Sequence, residues 1–160
     1  MAESARVKDV EALREFRVAL ATFIDDARNA LTAVDMENRR VSDWVNNTQK
    51  FHWLNEVKRR REKMNEIRGE LHRRKLSGGG ETEAKEAVRI ANARLREAEE
   101  KVEIVKKSAP LLQHAIDEYL GLARPLGDML TGDLEHALGM LDRMATALDK
   151  YLSTSLPAGS

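Results

Sequence analysis

The chain has 160 residues, 34% of them charged and 4% aromatic, with 27 basic and 27 acidic side chains and a formal net charge of zero. That balance excludes generic polyanion binding as a whole-chain property. The absence of cysteine excludes disulfides, thiolate catalysis and Cys-based zinc sites, in keeping with a reducing, cytoplasmic setting.

The opening MAESARVKDVEALREF has no apolar core flanked by basic residues, so no signal peptide is expected; secretion would take a signal-peptide-independent route. No stretch approaches ~20 apolar residues, so no membrane insertion is expected. Ala, Glu, Lys, Leu and Arg dominate, a composition that favours long helices and predicts an all-α fold. From about residue 5 to Leu76 there is no proline and a single glycine, Gly69, which predicts one helix. At ~1.5 Å rise per residue its length is roughly 105 Å, and small-angle scattering is expected to show a rod-like particle.

Within it Val10, Leu13, Leu20, Ile24, Ala27, Leu31, Val34, Val41 and Val45 follow one heptad phase, with Arg17 and Asn38 as polar exceptions. Trp53, Val57, Met64, Ile67 and Leu71 follow another, with Arg60 at a seam position. The slip lies near Asn46-Asn47-Thr48, where a local change of supercoil or a third packing partner is expected. Trp44, Phe51 and Trp53 cluster there. They either fill the gap opened by the slip, which is the preferred reading, or form an anchor for a protein partner.

Ser77-Gly78-Gly79-Gly80 predicts a turn at 77–80. The second helix, expected over about 81–153, carries the clearest pattern in the chain. Steps of four and three run from Ala84 through Ala91, Leu95, Ala98 and Leu130 to Ala137, Met140, Met144, Ala147 and Tyr151, with Asp133 the one polar position. Such a period keeps one seam facing a partner helix, as in coiled coils. Pro110 and Pro125 are read as kinks along one path, because the seam keeps its phase across both. Thr131-Gly132-Asp133 offers a restart, and residues 154–160 are expected to be a flexible tail.

Together these elements predict a single elongated helical domain over 1–160. It is a long antiparallel hairpin, a coiled coil with a kinked second helix, in which paired residue numbers sum to roughly 157. Near the termini the apolar face widens, with Phe16, Leu20, Phe23 and Leu31 on one helix and Leu134, Leu138, Leu141, Leu148 and Leu152 on the other. Two helices cannot bury so wide a face, so a second copy of the chain, a refolded C-terminal helix or a different protein is expected to cover it, and a helical bundle completed by homodimerisation is the preferred reading. The tip, resting on Ala84, Ala91 and Ala98, is expected to bury less per turn than this leucine-rich base.

Chemistry-bearing patterns are sparse. Residues 57–76 carry nine Lys/Arg against three Glu. Arg59, Arg60, Arg61, Arg73, Arg74 and Lys75 are thus a candidate polyanion-binding tip. The preferred reading pairs them with Glu81, Glu83, Glu86 and Glu97 across the hairpin. His114, Asp117 and Glu118 have metal-compatible spacing, but the Glu-x-x-His repeat of a di-iron bundle and the His-Glu-x-x-His of a zinc protease are both missing. No catalytic residue, metal site or cofactor is expected.

Two helix pairs joined by a turn invite comparison. The small secreted Trp-x-Gly hairpins carry that motif in the turn, whereas here Trp44-Val45-Asn46 and Trp53-Leu54-Asn55 lie elsewhere and lack glycine. The arm also resembles the tRNA-binding hairpin of seryl-tRNA synthetases, without a matching residue motif. Both resemblances are architectural. The reading that follows is a non-catalytic scaffold or adaptor that self-associates and binds an unidentified protein. Ranked below it are an RNA- or DNA-binding arm over 57–76 and a substrate or chaperone of a specialised secretion system.

Overall fold

The computed structural model describes the backbone of residues 2–155 and the side chains of residues 8–154; the tail from residue 156 lies outside the described residues. Helix α1 spans Ala2–Asp43, a π-helical segment spans Trp44–Gln49, and α2 follows over Lys50–Ser77. Beyond the turn come α3, Glu81–Thr131, and α4, Asp133–Ser155. Among the described residues there is no strand.

The turn forms because Gly78 takes a left-handed conformation, φ +76°, open to a residue without a Cβ. The Arg74 carbonyl accepts from the Gly78 amide at 3.0 Å, the Gly79 amide at 3.4 Å and the Ser77 hydroxyl at 3.1 Å, satisfying the end of α2. Glu81 and Glu83 then sit in the first turn of α3, where the helix dipole favours negative charge.

The π segment accounts for the phase slip. Continued from Val45 in steps of three and four, the first phase reaches Thr48 and His52, both exposed. The half-buried residues are instead Val45, Gln49 and Trp53, two successive steps of four where three and four were due. One residue has been added, which is what a turn of i→i+5 hydrogen bonding accommodates. Asn46 Nδ2 donates to the Ser42 carbonyl at 2.9 Å and to Ser42 Oγ at 3.2 Å, placing a side-chain donor where the ladder changes spacing. No third packing partner is required.

A second one-residue shift occurs at Gly132 and departs from the expected pattern. Helix α3 runs unbroken through Pro110 and Pro125, both exposed, so water can reach the carbonyls that lose a ladder donor. The break falls at Gly132, where a Cβ would stand 3.1 Å from the Asp128 carbonyl oxygen. After it the half-buried positions are Leu134, Leu138, Leu141, Ala145, Leu148 and Leu152, together with Ala137 from the expected seam and Gly139 and Asp149. Met140, Met144 and Tyr151, expected on the seam, are about half exposed. Asp133 is exposed as well; it belongs to the first turn of α4.

Contacts divide the chain into two units, Met1–Met36 with Glu118–Ser160, and Glu37–Asp117. The first has 8 Lys/Arg against 13 Asp/Glu, a net of −5; the second has 19 against 14, a net of +5.

In the second unit α2 and α3 pair antiparallel, and Met64 packs with Ala91 and Leu95 beneath half-buried Val57 and Ile67. Ala84 and Ala98 are also buried, Ala98 completely. The alanine seam is therefore the more closely sealed of the two. Small side chains let two helices approach until each seals the other, while large ones at a two-helix contact stay partly open. Arg60, at a seam position, keeps its head outside and donates to Glu97 at 2.8 Å and to the Arg94 carbonyl at 2.6 Å.

In the first unit α1 runs antiparallel to the end of α3 and to α4. Val10, Ile24 and Leu130 are buried. Arg14 pairs with Asp149, Arg17 with Asp142, and Arg28 with Glu135 at 2.9 Å, numbers that sum to 159–163.

Candidate functional site

Three places on the molecule carry unusual side chains. The first is the π segment and its aromatics. Trp53 is half-buried; its Nε1 donates to Gln49 Oε1 at 3.2 Å, its ring meets His52 edge-on at 4.9 Å, and Lys101 Nζ stands 5.9 Å from the ring centroid. That geometry allows a cation–π contact. Trp44 and Phe51 are 52% and 61% exposed, so they do not fill the gap. Beside them a shallow groove of about 230 Å³ is lined by Asn46, Lys50, Leu54, Val102, Val105 and Ala109, among others. Alone among the polar seam residues, Asn38 has a buried donor, Nδ2, without a protein partner.

The second place is the basic tip. Arg59 reaches Glu56 at 2.7 Å, Arg60 reaches Glu56 and Glu97, and Arg61 reaches Glu99 at 3.1 Å. Arg73 and Arg74 share Glu70 at 2.8 and 3.0 Å, and Arg74 also lies 3.7 Å from Glu83. Lys75 is exposed and its charge acts on Glu81. Glu86 pairs with Arg89 and not with the tip, while Glu81 pairs with Lys85 and feels Lys75 only through its charge. Five of the six tip cations are thus matched by carboxylates, most of them on their own helix. A wide groove of about 600 Å³ exposes Arg59, Lys63 and Arg94 around Ile67 and Ile90.

These pairings leave an electrostatic signature. Hydrogen bonds from Arg59, Arg74 and Lys85 hold Glu56, Glu70 and Glu81 respectively below the usual carboxylate range, and Arg89 does the same to Glu86. A carboxylate whose folded pKa is depressed contributes stability that is present above its unfolded value, ~4.3 for Glu, and is lost as pH falls through the folded value. The melting temperature is therefore expected to fall between pH 6 and pH 3, and less so in high salt, because most of these pairs are exposed. An unchanged or rising melting temperature by circular dichroism would show that these pairs add nothing.

The third place is a flank of the first unit. In a three-and-four pattern, residues just after alternate seam positions form one flank, and residues just before the intervening positions form the other. Arg14, Arg28, Glu135, Asp142 and Asp149 follow Leu13, Ala27, Leu134, Leu141 and Leu148, and their ion pairs close one side. Phe16, Phe23 and Met144 precede Arg17, Ile24 and Ala145, and so lie on the other. They are 57%, 51% and 48% exposed, and Met140, one turn from Met144, is exposed to a similar degree. Sequence reasoning placed Met140 and Met144 on the seam. The available signal was the spacing of Leu134, Leu138, Leu141, Leu148 and Leu152, which form a seam of their own one residue out of phase.

His114, Asp117 and Glu118 do not assemble a site; Asp117 accepts from Gln113 at 2.9 Å, and no group of three His, Asp or Glu among the described residues is placed to hold a metal. Among the described residues no helix is long and apolar enough to cross a membrane. Comparison with protein-family models, curated proteins and solved structures returned no match.

Proposed function

We propose that this protein is a non-catalytic scaffold or adaptor, a coiled-coil hairpin that self-associates through its first unit and offers its second to a protein partner. The observation that carries this reading is the apolar flank. Phe16 and Phe23 on α1 and Met140 and Met144 on α4 remain about half exposed on one side of the pair. Large exposed apolar patches on soluble proteins mark interaction surfaces. Trp44 and Phe51, exposed beside the π segment, supply anchors for the partner.

The test is the mass in solution. Light scattering is expected to return twice the chain mass for the natural protein. Phe16→Glu with Phe23→Glu and Met144→Glu is expected to return the chain mass with helicity retained, because these side chains are not needed to seal the hairpin. Leu134 and Leu141 would be the wrong targets: both are half-buried on the seam against α1. A natural chain that stays monomeric throughout the concentration range rejects the reading.

A second reading, contact with RNA or DNA through the tip, draws on the +5 excess of the second unit. The carboxylates already matched to Arg59, Arg60, Arg61, Arg73 and Arg74 weigh against it, since each must be displaced before phosphate takes its place. Titration with a fluorescent oligonucleotide at two salt concentrations decides it: strong binding that weakens steeply with salt favours nucleic acid.

A further inference from the structure

One side of the second unit carries positive charge that its own helices leave unmatched. The groove of about 600 Å³ is lined by four cations, Arg59, Arg60, Lys63 and Arg94, against the single carboxylate of Glu97. Arg60 already takes Glu97 at 2.8 Å. Arg59 is held by Glu56 and Lys63 by Glu66, each on its own helix. Among the described residues Arg94 alone of the four forms no ion pair.

The register explains the surplus. Ion pairs between α2 and α3 join Arg60 to Glu97 and Arg74 to Glu83, and in both the residue numbers sum to 157. Lys63 and Arg94 obey the same sum, so two cations stand at one height on the two helices that line the groove. Seven residues away along each helix, that register sets Glu56 against Lys101 in one direction and Glu70 against Ala87 in the other. Only the middle level opposes like charges. Such a pair works against the hairpin and concentrates positive potential over the groove.

Beneath the cations the floor is apolar. Ile67 and Ala87 are half-buried there, Ala91 is buried, and Ile90 is 40% exposed. None of the described residues lining the groove is aromatic, so nothing in it stacks on a base. A phosphate backbone would answer the cations and leave the aliphatic floor in water. An amphipathic helix answers both, with aliphatic side chains on the floor and carboxylates beside them. Arg59 precedes Lys63 by four residues, about 6 Å along the helix, so carboxylates one turn apart reach both levels.

We propose that this groove is the docking site for an acidic amphipathic helix of a partner protein. Arg94 and Lys63 clamp one carboxylate, Arg59 meets a second one turn away, and Ile67 and Ile90 receive the aliphatic side chain between them. Arg94 has no carboxylate to give up, and the exposed contact between Lys63 and Glu66 on one helix is weak enough to share. The site rests on the reading of the second unit as the one offered to a protein partner, and names its surface and chemistry.

The probe is a fluorescent peptide of roughly 18 residues, long enough to hold a helix, with leucines in a three-and-four pattern flanked by glutamates. Two controls replace its glutamates by lysine or its leucines by serine. By anisotropy with the full chain, the acidic leucine peptide is expected to bind at least about tenfold more tightly than either control. Arg94→Glu is expected to weaken that binding about tenfold or more, and at the same time to raise the melting temperature by about 1–4 °C, because a carboxylate then faces Lys63. Ile90→Ser is expected to weaken binding severalfold with helicity unchanged. Equal binding of the three peptides, or binding indifferent to Arg94→Glu, overturns the site; a lowered melting temperature for Arg94→Glu overturns the like-charge pair on which it stands. Peptide binding lost instead on Trp44→Ala with Phe51→Ala overturns this groove while leaving the protein-partner reading in place. An oligonucleotide that binds more tightly than the peptide and is lost on Arg94→Glu gives the groove to nucleic acid and overturns the proposal. A monomeric mass for the natural chain rejects self-association without touching the groove.

Discussion

Ile24→Ala and Leu130→Ala are each expected to lower the free energy of unfolding by about 2–5 kcal/mol, the range for emptying a buried aliphatic site that can only partly collapse. Ile24 is 1% and Leu130 0% exposed, the two largest fully buried side chains among the described residues. Leu111→Ala removes the same atoms as Leu130→Ala from a side chain that is 71% exposed, and is expected to change stability by less than ~0.5 kcal/mol. The contrast holds residue type fixed and varies burial alone. Urea unfolding followed by circular dichroism, at one protein concentration for all variants, reads it directly. A cost near zero for Leu130→Ala would mean that the seam of the first unit is not what holds its helices together.

The second large effect comes from removing single residues. Deleting Asn47 is expected to be tolerated, with a melting temperature within a few degrees of the natural protein. It takes out the one extra residue that the π segment absorbs, so Val45, Gln49 and Trp53 fall into regular steps of three and four and the segment becomes α-helical. Deleting Glu62 from the regular part of α2 shortens the chain equally, but turns Met64, Ile67 and Leu71 away from α3 by about 100°. Each large apolar side chain withdrawn from full burial costs about 1.5–3 kcal/mol, so the melting temperature is expected to drop by more than ~10 °C. Equal responses to the two deletions would contradict a seam whose phase is reset at Trp44–Gln49.

Much of this architecture was legible in the residues. The glycine run at 78–80 marked the turn, because only glycine adopts the left-handed conformation without strain. Among the described residues every buried apolar side chain, from Val10 and Ile24 to Ala98 and Leu130, falls on a seam drawn from apolar spacing alone. Helical periodicity is a local property of the chain, and a seam needs no knowledge of its partner to be visible. Arg17 and Arg60 stood out as polar exceptions on it, and each proved to carry its charge to a carboxylate across the pair.

What the residues did not show is the consequence of an inserted residue. Near Trp44–Gln49 the slip was visible, but a π turn, a supercoil change and a third helix all explain a slip equally well in one dimension. Only the hydrogen-bond ladder distinguishes them. At Gly132 the slip was hidden, because α4 is apolar in two adjacent phases: Ala137, Met140, Met144 and Tyr151 continue the old one, while Leu134, Leu138, Leu141 and Leu148 begin the new. Which stripe faces α1 depends on the rotation of α4 about its own axis, set by the backbone at a glycine where a Cβ would make a tight 3.1 Å contact with the Asp128 carbonyl oxygen. That rotation turns the leucines inward and leaves the methionines on the open flank beside Phe16 and Phe23. Sequence alone determined that this protein is a helical hairpin with more apolar surface near its ends than two helices can cover; the tertiary structure decided where that surface lies, because a helix with two apolar stripes can bury only one of them against a single partner.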